Sequence, residues 1–168
     1  MKELITKEEQ FLDFLDKSKG LIVKVAGVYC YDREERKDLI QEIILQIWKS
    51  YQKFDDSYPL STWIYRIALN VSISYLRKMT SRKRTYEIYR KQTEFVQWDD
   101  HSIDEQLAQL YHFIGFLTPI DKAVIILHLD GVNNSEVADI LGLRPTNVST
   151  KLHRIKDKLK SYFITLTN

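Results

Sequence analysis

Apolar residues recur at three- and four-residue spacing along almost the whole chain, a periodicity that predicts an all-α protein. The first helix opens at a capping box, in which Thr6 caps the backbone and Glu9, three residues on, reaches back. Its apolar face is Phe11, Leu12, Phe14 and Leu15, continuing after Gly20 through Leu21, Ile22, Val25 and Val28. A second helix is expected from Arg33 to Tyr51. Its buried stripe combines the row Leu39, Ile43, Ile47 with the adjacent row Ile40, Ile44, Trp48. Leu45 falls outside that stripe, beside Gln41 and Glu42 one turn back. The break Asp55-Asp56-Ser57-Tyr58-Pro59 precedes a third helix, expected from Leu60 to Met79. That helix is apolar nearly all round, except for one polar row through Thr62, Arg66 and Asn70 that continues by Ser74 to Arg77.

The composition then shifts. Arg77, Lys78, Arg82, Lys83, Arg84, Arg90 and Lys91 stand against the single acid Glu87, and Gln97-Trp98-Asp99-Asp100-His101 follows with little periodicity. The reading is therefore two small helical domains, 1–81 and 102–168, joined by a linker over 82–101. Four shorter helices are expected in the second half. One opens at Thr118 with Pro119 at its first position, where a missing N–H costs nothing. Gly131 and Gly142 stand where two helices should end, since glycine enters the left-handed cap conformation freely.

The strongest local pattern runs from Asn133 to Val148. Asn133 caps a helix whose third residue is Glu136, and Val137, Ile140 and Leu141 form its inner stripe. Ala138 is small where two helices cross, Gly142 makes the turn, and Val148 closes the small core from the next helix, which is helix-turn-helix spacing. From Arg144 to Lys160 six basic residues face one acid, Asp157. The side chains of Thr146, Asn147 and Thr150 suit base edges in a major groove, while Arg144, Lys151 and Arg154 suit phosphates. The bland counterpart is a helical hairpin with a solvated basic face.

Composition narrows the classes. A chain of 168 residues with 44% hydrophobic and 29% charged residues is globular, and its net charge of +2 requires any nucleic-acid-binding charge to be local. Cys30 is the one cysteine, and His101, His112, His128 and His153 have no tight ligand spacing, so neither a metal nor another cofactor is expected. No catalytic residue is assigned, because no nucleophile–base pair or cluster of His and carboxylates stands out. No apolar run approaches the roughly 20 residues of a membrane helix, and Met1 to Gln10 lacks the apolar core of a signal peptide. A cytoplasmic protein without membrane insertion is expected.

The segment Asp38-Leu39-Ile40-Gln41-Glu42 followed by Leu45 and Trp48 resembles region two of the bacterial RNA polymerase sigma factors. Phe54, Ser61-Thr62-Trp63-Ile64-Tyr65-Arg66-Ile67-Ala68-Leu69-Asn70 and Leu76-Arg77 resemble that family's promoter-melting, minus-ten-reading helix. Leu117-Thr118-Pro119, Asp130-Gly131 and the helix-turn-helix through Leu152-His153-Arg154 resemble region four, which reads the minus-thirty-five element. Only these two regions are matched, in order, so the resemblance is to the extracytoplasmic-function (ECF) group.

The resemblance implies a protein that catalyses nothing itself and lends promoter recognition to the polymerase. Asp38, Gln41, Glu42 and Leu45 would bind the polymerase core, formed by its beta and beta-prime subunits. Phe54, Tyr58, Ser61, Thr62, Trp63, Arg66, Asn70 and Arg77 would meet the minus-ten DNA, with the loop from Phe54 to Pro59 holding a flipped-out base. Arg144, Thr146, Asn147, Thr150, Lys151 and Arg154 would meet the minus-thirty-five DNA. An anti-sigma factor is the family's usual control. The chain departs from the family where relatives have Gly-Thr and Lys-Ser-Arg, carrying Thr146-Asn147 and Ser149-Thr150-Lys151 instead. That implies an altered minus-thirty-five preference. A stand-alone helix-turn-helix regulator binding duplex DNA shares everything from Thr118 onward, but leaves the Asp38–Trp48 and Ser61–Arg77 patterns unexplained.

Overall fold

The computed structural model describes residues 6–54, 57–82 and 105–167. Among them are seven helices: α1 Lys7–Tyr29, α2 Arg33–Tyr51, α3 Leu60–Arg82, α4 Glu105–Gly115, α5 Pro119–Leu129, α6 Asn134–Leu141 and α7 Pro145–Thr167. The chain divides into two compact units, Met1–Ser72 and Ile73–Asn168, with the division falling inside α3. The expected linker lies outside the described residues apart from Arg82, which ends α3.

In the first unit α1 begins at the expected capping box. Glu9 N–H donates to Thr6 Oγ1 at 3.2 Å, and Thr6 N–H donates to Glu9 Oε2 at 2.7 Å. The Thr6 N–H first, and then the Thr6 hydroxyl donating to Glu9 Oε2 at 3.1 Å, hold the Glu9 carboxyl below its usual range. The helix continues through Gly20 without a break. Its inner stripe is Phe11, Phe14, Ser18, Ile22 and Val25, all buried, and Ser18 Oγ returns its proton to the Phe14 carbonyl at 2.8 Å. Leu12 is 61% exposed, contrary to the sequence expectation. It follows Phe11 directly, about 100° around the helix, and so leaves a stripe that advances by threes and fours. α2 is capped by the Asp32 carboxylate, which accepts from Glu34 N–H and Glu35 N–H. Its row Leu39, Ile43, Ile47 is fully buried against α1.

Six aromatic rings close one end of this bundle. Phe11 lies 4.6 Å from Trp48 and 5.1 Å from Tyr51, Phe14 lies 5.9 Å from Trp63, and Phe54 lies 4.9 Å from Trp63, measured between ring centroids. Such offset and edge-on pairs add stability beyond the area they bury. Trp48, expected within the buried stripe, is 37% exposed. It packs its ring edge-on against Phe11, which covers only part of it.

In the second unit α5, α6 and α7 pack against one another and α4 packs on α5. The punctuation follows the sequence. Thr118 caps α5 with Pro119 at its first position, and Asn133 Oδ1 accepts from Glu136 N–H at 3.0 Å. Gly131 and Gly142 take φ of +78° and +65°, the region where a Cβ would be strained. After Gly142 the chain folds back so that Leu143 N–H meets the Ala138 carbonyl at 2.9 Å. Val124, Leu127, Val137, Ala138, Val148, Leu152 and Ile155 make the core. α7 extends to Thr167 and, at 23 residues, is as long as α1 and α3 instead of shorter. Its Tyr162 hydroxyl shares a 2.8 Å hydrogen bond with His112 Nδ1 of α4.

Lys122 is 2% exposed within α5. Burial lowers its pKa to about 8 from an ordinary 10.5. Between those values the unfolded chain holds the proton that the folded chain has released, so stability rises with pH across the window. Relative to Lys122→Met, the wild type is expected to gain about 2 kcal/mol of unfolding free energy between pH 7.5 and 9.5. Denaturant melts of both proteins at the two pH values measure this, and parallel pH dependences would contradict it.

Candidate nucleic-acid interface

Three helices present the side chains singled out by the sequence. On α2, Asp38, Gln41, Glu42 and Leu45 are all exposed, opposite the buried Leu39, Ile43 and Ile47. Leu45 is 43% exposed, with Glu42 one turn back accepting a 2.8 Å hydrogen bond from Gln46 Nε2. This is an apolar side chain on the exposed side of α2, with Gln41, Glu42 and Lys49 and the edge of Trp48 one turn away.

At the start of α3 the residues are arranged in depth. Ser61 and Asn70 are exposed, Trp63 and Arg66 are half-buried, and Arg77 is exposed further along the same helix. Arg66 stacks its guanidinium 5.2 Å from the centre of the Tyr58 ring, and Tyr58 is itself exposed. Phe54 is half-buried against Trp63. Asp55 and Asp56, in the expected base-holding loop, lie outside the described residues. Beside this group the rings of Phe14, Trp48, Tyr51 and Phe54, with Gln10, Gln52 and Leu60, line a cleft of about 390 Å³.

Thr62 corrects the expectation for the polar row. It is 4% exposed and faces the bundle interior. A step of four residues overshoots a full helical turn by about 40°, so a row that is inward at Thr62 has swung out by Asn70.

On α7, Val148, Leu152 and Ile155 face inward, while Arg144, Thr146, Asn147, Thr150 and Arg154 are exposed on and just before its first turns. Thr150 Oγ1 donates to the Thr146 carbonyl at 2.9 Å, and Asn134 Nδ2 donates to Ser149 Oγ at 3.1 Å. Lys151 departs from its expected place as a solvent-facing phosphate contact. Its ammonium is 2.8 Å from Asp121 Oδ1 of α5. No pattern along the sequence marks Asp121 as the partner of a residue 30 positions away. Likewise the Tyr58–Arg66 stack and the aromatic cleft join positions that share no periodicity. Among the described residues no cluster of His, Cys, Asp or Glu could hold a metal ion, and no helix is long and apolar enough to cross a membrane.

Residues 14–82 match Sigma-70 region 2, and residues 107–159 match Sigma-70 region 4. Over 132 residues the chain is 30% identical to the ECF RNA polymerase sigma factor SigX of Bacillus subtilis, covering 73% of this chain and 68% of that one. The chain belongs to the ECF sigma factors. It is 24% identical to the ECF RNA polymerase sigma-E factor of Haemophilus influenzae, over 82% of this sigma factor and 80% of that one. The fold is shared with the sigma factor RpoE from Bartonella quintana, solved in complex with the anti-sigma factor NepR. The TM-score is 0.75 at 16% identity, with 92% and 97% of the two chains covered. CnrH, solved with the cytosolic domain of CnrY, gives a TM-score of 0.67 at 20% identity, over 95% of this chain and 90% of that one. As an alternative sigma factor it binds core RNA polymerase and promoter DNA and directs promoter-specific transcription initiation. The stand-alone regulator is not favoured, because region 2 accounts for the α2 and α3 patterns that it left unexplained.

Proposed function

We propose that this sigma factor assigns its three exposed helix faces to three tasks and catalyses no reaction itself. Asp38, Gln41, Glu42 and Leu45 on α2 dock on the polymerase core. Phe54, Tyr58, Ser61, Trp63, Arg66, Asn70 and Arg77 engage the minus-ten element during melting, with aromatic faces available to unpaired bases. Arg144, Thr146, Asn147, Thr150 and Arg154 enter the major groove of the minus-thirty-five element. Domains 1–81 and 102–168 carry the two DNA tasks and 82–101 links them, in the cytoplasm where the polymerase works. An anti-sigma factor that covers the α2 or α7 face would hold it inactive, as the complexes of its structural neighbours suggest. The observation carrying the reading is the sorting of α7, whose polar first turns stand outside a fully buried Val148, Leu152 and Ile155.

Run-off transcription with purified core polymerase on a set of promoter fragments tests it. Specific transcripts are expected only when the chain is added. Tight duplex binding by the chain alone, with no transcription, would overturn the reading. On a promoter found this way, Asn70→Ala is expected to lower open-complex formation about tenfold, the scale of a lost base contact. Asn70 is exposed on α3 and is not among the α2 residues that dock on the core, so the fold and the affinity for core polymerase should not change.

A further inference from the structure

Lys151 is the basic residue of α7 whose position the phosphate-binding reading does not explain. Its ammonium sits 2.8 Å from Asp121 Oδ1, with the Lys151 and Asp121 side chains 33% and 15% exposed. The pairs Lys17–Asp13, Lys37–Glu34 and His153–Asp157 join neighbours on one helix, whereas this pair joins α7 to the first turn of α5. Asp121 is itself fixed, since its N–H donates to Thr118 Oγ1 at 3.2 Å and its carboxylate stands near the positive end of the α5 dipole.

We propose that Lys151 is a positioning residue, and that its ion pair with Asp121 sets the rotation of α7 and so which side chains meet the base edges. The inference rests on the minus-thirty-five reading of α7. At about 100° per residue, Lys151 lies on one rim of the buried stripe Val148–Leu152–Ile155 and Ser149 on the other. Ser149 is held by Asn134 of α6, at 3.1 Å, so α7 is gripped on both rims. Apolar burial is non-directional and tolerates small rotations, whereas a charged hydrogen bond is short and directional. Thr150 projects from the side opposite the stripe, and Arg154 and Asn147 from the flank on which Lys151 lies, so a turn of α7 displaces all three together. Phosphate binding then falls to Arg144, Arg154, Lys156 and Lys158, all exposed.

The test uses holoenzyme assembled from core polymerase and the full chain, on a duplex promoter fragment found by run-off transcription, titrated at several salt concentrations. Lys151→Ala and Asp121→Asn are both expected to weaken minus-thirty-five-dependent binding about tenfold, the scale of coupled neighbouring sites. Neither should change the salt slope. Lys151→Arg should retain binding, and the exchange Lys151→Asp with Asp121→Lys should recover most of what either single change loses. Circular dichroism shows which variants fold.

The sign of the Asp121→Asn effect decides the matter even if the exchange fails to fold. Tighter binding by Asp121→Asn, together with a salt slope lowered by about one unit in Lys151→Ala, would make Lys151 a direct phosphate contact and overturn the inference. A folded exchange variant as weak as the single variants would also overturn it. Arg154→Ala serves as the control for the underlying reading. If it alters neither affinity nor slope, α7 does not lie on the DNA and both conclusions fall, whereas a normal Arg154→Ala response beside a failed Lys151 test removes the positioning role alone.

Discussion

Leu45→Asp is expected to lower affinity for core RNA polymerase by about a hundredfold or more while leaving the protein folded. A buried apolar anchor in an interface contributes about 2 kcal/mol or more, and an aspartate there adds an unpaired charge that must lose its water. The fold should tolerate the change because Leu45 projects into solvent, whereas Ile43 and Ile47 on the same helix are fully buried. Surface substitutions of this kind usually stay within about 0.5 kcal/mol of the wild-type stability. Ile43→Asp should instead lose folding and binding together. Binding of labelled sigma factor to core enzyme, with a thermal melt of each variant, separates the two cases. Wild-type affinity in a folded Leu45→Asp protein would remove α2 from the polymerase interface.

Ala138→Leu is expected to have the second large effect, on region 4 and not on polymerase docking. Ala138 is 1% exposed, and its carbonyl receives the N–H groups of Gly142 and Leu143 that form the turn. Three more carbons at that crossing must push α6 away from its neighbours or force strained rotamers. Overpacking of this sort costs about 1–3 kcal/mol, and each kcal/mol moves the midpoint of a domain this small by about 4–8 °C. A fall of about 10 °C in the unfolding midpoint of the second unit is therefore expected, with minus-thirty-five-dependent transcription failing first on warming. A midpoint within a few degrees of wild type would mean that the crossing has room to spare.

What could be read from the sequence was whatever is repeated or punctuated. The inward stripes of α2 and α6, the caps at Thr6, Thr118 and Asn133, and the glycine ends at 131 and 142 all depend on neighbours within four residues. Local chemistry decides them, so a linear pattern suffices. The exposure of Leu45 followed from the same periodicity. Thr62 escapes the pattern because a row of steps of four is not one face but winds around the helix. Trp48 differs because periodicity says which side faces inward but not how far each ring is covered, whereas Leu12 differs because it stands next to Phe11 and outside the three-and-four stripe. The helix that carries Lys151 says nothing of its partner Asp121, which lies on another helix. Contacts of that kind depend on how helices pack, which no short-range pattern records.

The ring cluster that closes the first unit has a spectroscopic consequence. The chain has three tryptophans, and two of them, Trp48 and Trp63, belong to that cluster in the unit Met1–Ser72. Trp98 lies outside the described residues. With Trp98→Phe, indole emission becomes a private signal of the first unit. Tyrosine absorbance stays common to both units, since five of the ten tyrosines lie in Met1–Ser72, and only the difference between the wild type and Tyr162→Phe isolates the ring bonded to His112. The step at which the first unit engages a promoter could then be followed by itself in a stopped-flow trace.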